Sequence, residues 1–334
     1  MSTLRNKLER IVIVDIDGSI VRQPETVARF DPIVVDARDL HDRLRYWSTK
    51  EDLAELGARV GDKVPTLEGA IILFGSSDFH NLSWLWISLL EPRPFSVIHF
   101  DNHTDWVKVP PAEAVHAGSW VRHVLDMPHI ARVAQLGVNG DLEMQVVPPT
   151  PTGPLTHSFE LFDTGRLETF PHSLREATYL GEVSVPSICG TADKGTLTTR
   201  VRWRTIEEEG IEAVMAGVLD RIPTDEVYIS IDKDVLRDED CFTNFYNWQQ
   251  GTLSLDELTT ALAMISERKT IIAMDVNGDG SPANFDDNSV GKRLFSIKDR
   301  KLTPEMFRDP KLNALNDRSN VRIVSTVLQT EFAV

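Results

Sequence analysis

The sequence predicts an α/β fold built on a mostly parallel sheet, and three observations carry that prediction. Short apolar runs bounded by turn residues recur at Arg10–Asp15, Ala70–Phe74, Phe95–Phe100, Ala131–Leu136, Glu226–Asp232 and Ile271–Val276, each with the length of a buried strand. Helical stretches separate several of them, over 51–60, 81–90 and 205–220, and such alternation of strand and helix marks a parallel sheet. Acidic residues also collect where apolar runs end, which is where open α/β sheets bind ligands. With 334 residues and 41 % hydrophobic content the chain can bury a substantial core, so one domain over 1–334 is expected, with an insertion around 140–200.

Taken in order, Arg10–Ile20 (RIVIVDIDGSI) is a strand running into a D-x-D-G turn at Asp15 and Asp17. Residues 21–69 hold Pro24, Pro32, the cluster His41–Trp47 and a helix over 51–60; His41 is expected at the surface, and Arg43, Arg45 and Trp47 in an oligomer contact or the rim of a site. After the strand at 70–74, the turn Gly75–Asp78 delivers His80 near the start of a helix whose Trp84 and Trp86 are expected in the core. Phe95–Asp105 (FSVIHFDNHTD) then carries an apolar strand into Asp101, His103 and Asp105. Alternation at period two would point these three to one face if the chain stayed extended. A loop with Pro110 and Pro111 leads to His116. The prolines at 148, 149, 151 and 154 open the expected insertion, read as packed over or beside the mouth of a site. Thr205 and Glu208 have capping-box spacing at the start of an amphipathic helix. Val227–Leu236 (VYISIDKDVL) is a second strand with an acidic end, at Asp232 and Asp234.

Two acidic strand ends in one chain have a chemical reading. Four carboxylates brought together would repel and raise one another's pKa, an arrangement that cations neutralise. Oxygen ligands with one or two imidazoles suit Mn²⁺ or Mg²⁺, and histidine favours manganese. A structural zinc site would favour cysteine, and the two cysteines present, Cys189 and Cys241, have no metal-site spacing and are expected as free thiols. With 35 basic and 51 acidic residues the formal charge is -16, which argues against nucleic acid or an anionic membrane as partner. The chain shows no secretory leader or spanning apolar run, so a cytoplasmic protein is expected.

The motifs resemble those of the arginase and agmatinase family, the ureohydrolases. Asp101–Asp105 (DNHTD) resembles the family's D-A-H-x-D, and Ser230–Leu236 (SIDKDVL) its S-x-D-x-D-x-x-D-P. Gly75–Ser83 stands where the family has G-G-D-H-S, His116–Leu125 where it has H-G, Gly251–Leu258 where it has G-G-L-T-x-x-E-L, and Ile271–Pro282 where it has D-V-x-E-x-x-P. The resemblance implies a three-layer α/β/α arginase-like fold and two Mn²⁺ per chain. Asp101 and Asp232 would bridge the ions, His80 and Asp105 would complete one, and His103 and Asp234 the other. An extra residue separates His80 from the glycine, with Asp78 as its substitute. His116 and Asp105 are the implied catalytic residues, His116 as a proton shuttle or substrate contact at the mouth. The family's guanidinium-binding Glu falls at Gly278, which leaves Asp279 and Asp275, with His116, as substrate-binding candidates.

The implied activity is hydrolysis of a guanidino C–N bond with release of urea. The loop Trp106–Val115 has none of the Asn and Ser groups with which arginases bind the α-groups of free arginine. An arginine side chain in a peptide, converted to ornithine, fits that absence. Agmatine, guanidinobutyrate and formiminoglutamate are the small-molecule alternatives, and a homo-oligomer is open. Two readings compete. Asp15-Ile16-Asp17-Gly18 resembles the nucleophile motif of haloacid dehalogenase phosphatases, with Asp286 and Asp287 as a distal acidic pair. An Asx turn closing a strand is the plainer account of Asp15 and Asp17. A non-catalytic metal-binding scaffold is the other.

Overall fold

The computed structural model describes residues 8–107, 113–139, 162, 164–183, 185–243, 251–285, 292 and 303–329. Thirteen strands occur among them: β1 (Arg10–Asp15), β2 (Ile33–Asp36), β3 (Trp47–Ser48), β4 (Ala70–Leu73), β5 (Phe95–Phe100), β6 (Val115–His116), β7 (Ile130–Leu136), β8 (Leu167–Phe170), β9 (Glu176–Leu180), β10 (Gly190–Lys194), β11 (Thr198–Trp203), β12 (Glu226–Asp232) and β13 (Thr270–Asn277). Eight form one parallel sheet in the order β2-β1-β4-β13-β12-β5-β7-β8.

Alternation along the strands divides the core into two layers. On β1, Val12 and Val14 face one apolar cluster, and Ile11 and Ile13 the other. The first layer is covered by the helices Lys50–Lys63, Leu82–Ser88 and Trp120–Leu125, the second by Ile211–Arg221, Leu255–Arg268 and Pro310–Leu328. The result is the expected three-layer arrangement, because a parallel sheet must bury both faces. Each large aliphatic side chain fully buried this way contributes about 1.5–3 kcal/mol.

Helix ends follow local chemistry. Thr49 and Asp52 form a capping box ahead of Lys50–Lys63, and Ser254 and Glu257 another ahead of Leu255–Arg268. The helix expected over 205–220 is broken. Thr205 caps a single turn, Ile206–Glu209, and Gly210 at φ 83 separates it from Ile211–Arg221. Within 140–200, β8 is the edge strand of the main sheet, while β9, β10 and β11 form a small antiparallel sheet of their own. Trp86 is fully buried and Trp84 partly so. His41 is buried against expectation, its ring edge-on to Phe79 at 5.4 Å. No helix among the described residues is long and apolar enough to cross a membrane.

Candidate metal centre

Strands β4, β13, β12 and β5 are consecutive neighbours in the middle of the sheet, so the segments that follow them meet at one edge. β12 and β5 pair directly, Ile231 opposite Phe100, which sets Asp101 and Asp232 side by side although 131 positions separate them in the chain. Each of the two closes its strand in the same way. Asp101 Oδ1 accepts the His103 N–H at 2.6 Å, and Asp232 Oδ1 accepts the Asp234 N–H at 3.0 Å and the Ser77 hydroxyl at 2.7 Å. One oxygen of each carboxylate is thus committed to its turn, while the Oδ2 of each lies near His80 Nδ1.

His80 is the hub. Its Nδ1 lies 2.9 Å from Asp105 Oδ2, 3.2 Å from Asp101 Oδ2 and 3.3 Å from Asp232 Oδ2. Asp78 points elsewhere, paired with Arg45 at 2.7 Å, so it does not stand in for His80. His103 Nδ1 is 2.9 Å from Asp234 Oδ2 and 3.5 Å from Asp101 Oδ1. All six expected ligands therefore come together, in two groups that share Asp101. The convergence does not arise from strand alternation, because β5 ends at Phe100 and residues 101–105 turn. Asp105 adopts the left-handed region at φ 52, and the buried indole N–H of Trp120 donates to its Oδ2 at 2.7 Å.

His99 is a residue that the sequence reading missed. It is fully buried on β5, its Nε2 3.0 Å from Asp101 Oδ2, and it shares a potential ligand group with His80, Asp101 and Asp105. Asp101, His103 and Asp234 form a second such group. The signal was available in the spacing, since His99 lies near the end of β5, two positions before Asp101.

These residues fit divalent cations. His99 Nε2, Asp101 Oδ2 and Asp234 Oδ2 are buried and make no hydrogen bond among the described residues, although His99 and Asp101 approach to 3.0 Å and Asp234 approaches His103 to 2.9 Å. Nitrogen and oxygen atoms this close without hydrogen-bond alignment are the geometry of ligand atoms aimed at a common centre. Charge tells the same story. Burial, and then the Asp101 charge, push Asp105 up to about 8; burial and the Asp232 and Asp101 charges push Asp234 well above the carboxylate range. Burial also opposes ionisation of Asp101, but the imidazoles of His103, His80 and His99 outweigh it and hold that carboxyl well below its usual value. The cluster is short of positive charge, and its carboxylates and imidazoles could hold a divalent cation.

Around the cluster, the other expected residues take different positions. His116 lies on β6, paired with Trp47 and stacked on its ring at 6.1 Å. Gly118 lies beside both His116 and Asp105, since a Cβ there would stand 3.6 Å from His116 Nδ1 and 3.9 Å from Asp105 Oδ1, in ordinary contact. Asp275 is behind His80. Its oxygens accept from Tyr228 at 2.5 Å and Ser230 at 2.9 Å, and Ser230 Oγ is 3.2 Å from His80 Nε2. Burial pushes Asp275 up to about 6. Asp279 is fully buried, bound by Lys233 at 2.8 Å, Gln23 at 2.6 Å and Asn320 at 3.3 Å. Asp279 and Asp275, expected to meet substrate, each have an internal hydrogen-bond partner on both carboxylate oxygens. Gly278 leaves no room for the family's Glu in this backbone: with φ 99, its Cβ would stand 2.7 Å from Asp232 Oδ1.

At the competing motif, Asp15 Oδ1 accepts the Gly18 N–H at 2.9 Å and its Oδ2 binds Arg38 at 2.6 Å. Asp17 accepts from the Ser19 and Ser76 N–H groups. The Gly18 and Ser19 contacts are those of Asx turns, while Arg38 and Ser76 reach the two carboxylates from elsewhere in the chain. Asp286 and Asp287 lie outside the described residues.

Comparison with known proteins agrees with the geometry. The Arginase family model matches residues 191–282. No curated protein sequence matches the chain. Solved structures of similar fold include arginase from Bacillus cereus, at 14% identity and TM-score 0.53, covering 98% of this chain and 100% of that one. Formimidoylglutamase from Bacillus subtilis is similar at 13% identity and TM-score 0.51, covering 99% and 91%. Agmatine ureohydrolase of Thermoplasma volcanium follows at 11% identity and TM-score 0.51, covering 98% and 93%. The chain thus shares the arginase fold along nearly its whole length and is similar to the Arginase family in sequence over residues 191–282.

Proposed function

We propose that the chain is a binuclear manganese hydrolase that cleaves a guanidino C–N bond and releases urea. The observation that carries the reading is the pair of ligand groups sharing Asp101, with buried nitrogen and oxygen atoms converging at the carboxyl edge of the sheet. His80, Asp101, Asp105 and Asp232 would hold one ion, and Asp101, His103, Asp232 and Asp234 the other. Two such ions would supply a water of lowered pKa near neutral pH and stabilise charge that develops on the substrate.

The remaining chemistry belongs to the chain. His116 Nδ1 accepts the Gly118 N–H at 3.0 Å, so in the neutral ring the proton sits on Nε2. Burial and the nearby Lys292 ammonium push this imidazole down to about 4, which keeps it neutral at pH 7. His116 is therefore a hydrogen-bond donor to the substrate or its leaving amine, and of the two roles implied by its motif the contact is the one that this protonation state supports. Asp275, through Ser230, orients His80 from behind, as outer partners of metal-binding histidines do.

For the substrate we put first an arginine side chain in a peptide, because the loop Trp106–Val115 lacks Asn and Ser groups for a free amino acid. Agmatine, guanidinobutyrate and formiminoglutamate are the alternatives. The test begins with elemental analysis of protein purified with manganese, as wild type and as Asp101→Asn and Asp232→Asn. Near two Mn per chain, lost in both variants, is the expected result. It is followed by a screen of small guanidines for urea release and of arginine peptides for loss of one cyanamide unit. Absence of manganese from the wild type would sink the reading, and unchanged mass across a broad peptide panel would remove the peptide substrate.

A further inference from the structure

Residues 41–47 carry no motif that the reaction uses, yet their packing is costly for a segment without a task. The Arg45 side chain is 1% exposed and that of Asp78 0%, with Nε and Oδ2 2.7 Å apart. The guanidinium also donates to the Tyr46 hydroxyl at 2.9 Å and lies 4.5 Å from the centre of its ring. Tyr46 itself adopts φ 62, in the left-handed region that bulky residues avoid. Backbone strain of this kind persists where the surroundings over-determine it, which makes it a pointer to function.

The contacts of this segment lead to the metal centre from two sides. The Tyr46 N–H donates to the Asp78 carbonyl at 2.6 Å, and the Tyr46 carbonyl accepts from Ala117 at 2.7 Å, next to His116. Asp78 occupies the middle of the turn Ser77–Phe79. Ser77 donates to Asp232 at 2.7 Å, and His80, at the end of the turn, reaches Asp105 at 2.9 Å. Both the backbone and the carboxylate of Asp78 are therefore held from behind while Ser77 and His80 touch the ligand group in front. A buried ion pair gives little net stability over apolar side chains of the same volume, and its value lies in geometry.

We propose that Arg45 and Asp78, with Tyr46 locked between them, are positioning residues for the His80 arm of the metal centre. The proposal rests on the metal-centre reading above. Its test is calorimetric titration with Mn²⁺ of metal-free full-length wild type, Asp78→Asn and the double variant R45M/D78L, with a thermal melt of each. The double variant replaces the pair by apolar groups, a change that buried ion pairs often tolerate, and the melt shows whether it folds. The expected result is two binding events in wild type, and in both variants a loss of about 10–100-fold in affinity for the ion that His80 would hold, larger than the loss at the other ion, which shares Asp232. Wild-type affinities in a folded R45M/D78L protein would overturn the positioning role while leaving the metal centre intact. Equal losses at both ions would overturn it as well. A wild type that binds no manganese overturns the metal reading itself, and the positioning role with it.

Discussion

Gly278→Ala is the substitution that most directly probes how the centre is built. The added Cβ would lie 2.7 Å from both Asp232 Oδ1 and the Lys233 amide nitrogen, too close for either contact. Asp232 cannot yield freely, because that oxygen already accepts from Ser77 and from the Asp234 N–H. The left-handed φ of 99 adds about 1–2 kcal/mol for any residue with a Cβ. Weakening two hydrogen bonds at about 1 kcal/mol each brings the total to about 3 kcal/mol. With about 2.1 cal/mol/K of unfolding entropy per residue over 334 residues, that corresponds to a fall of about 4 °C in Tm for the metal-free protein. Because Asp232 is displaced, manganese affinity should also drop, by about 10–100-fold. Differential scanning calorimetry and Mn²⁺ titration check the two parts separately. A Gly278→Ala protein with wild-type Tm and wild-type manganese binding would refute the claim that this glycine makes room for Asp232.

Two further outcomes follow from single contacts. Trp120→Phe keeps an aromatic ring against His80 and His99 but removes the N–H that Asp105 Oδ2 accepts at 2.7 Å; a loss of about 10-fold or more in manganese affinity is expected by titration, and wild-type affinity would show that Asp105 is held without it. Glu257 is held down to about 2 by His172 and by the Ser254 cap. Since its folded pKa lies below the unfolded one, this stabilisation is present above about pH 4.5 and is lost as pH falls through about 2. Its side chain is 30% exposed, and solvent screening leaves about 1 kcal/mol of the full effect. Urea melts of wild type and Glu257→Gln should therefore differ by about 1 kcal/mol near pH 6 and by less near pH 3; an equal difference at both would contradict the assignment.

The strands and the convergence of acidic residues at their ends were legible because their determinants are local. β1, β4, β5, β12 and β13 are runs of consecutive buried residues, as a parallel sheet buried on both faces demands. Asp101 and Asp232 are fixed by Asx-type bonds to residues two positions on, so the motif and its geometry lie in the same short stretch. What was not legible depends on distant partners. The Arg45 side chain is placed by Asp78, 33 positions away, and Asp279 by Gln23, 256 positions away. Neither partner could be inferred from charge pattern or periodicity, so Arg45 looked like a rim residue and Asp279 like a substrate contact. The break at Gly210 was visible as a glycine in a helical pattern, but only its positive φ turned a tolerated residue into a boundary.

The same division explains why the motifs speak to the reaction before they speak to the substrate. The acidic residues at the ends of β5 and β12 are tied to backbone turns, and with nearby histidines they form groups that could hold a cation whatever the substrate is. Recognition of a guanidinium needs a carboxylate or acceptor turned outward, and the structure commits both acidic candidates on and after β13 to the interior. Asp275 serves Tyr228 and Ser230, and Asp279 neutralises Lys233, a buried ammonium between two ligand residues. Replacing Asp279 would leave that buried ammonium without its carboxylate partner, in the turn that links Asp232 to Asp234, so a drop in thermal stability on such a change would report on that turn before any substrate contact.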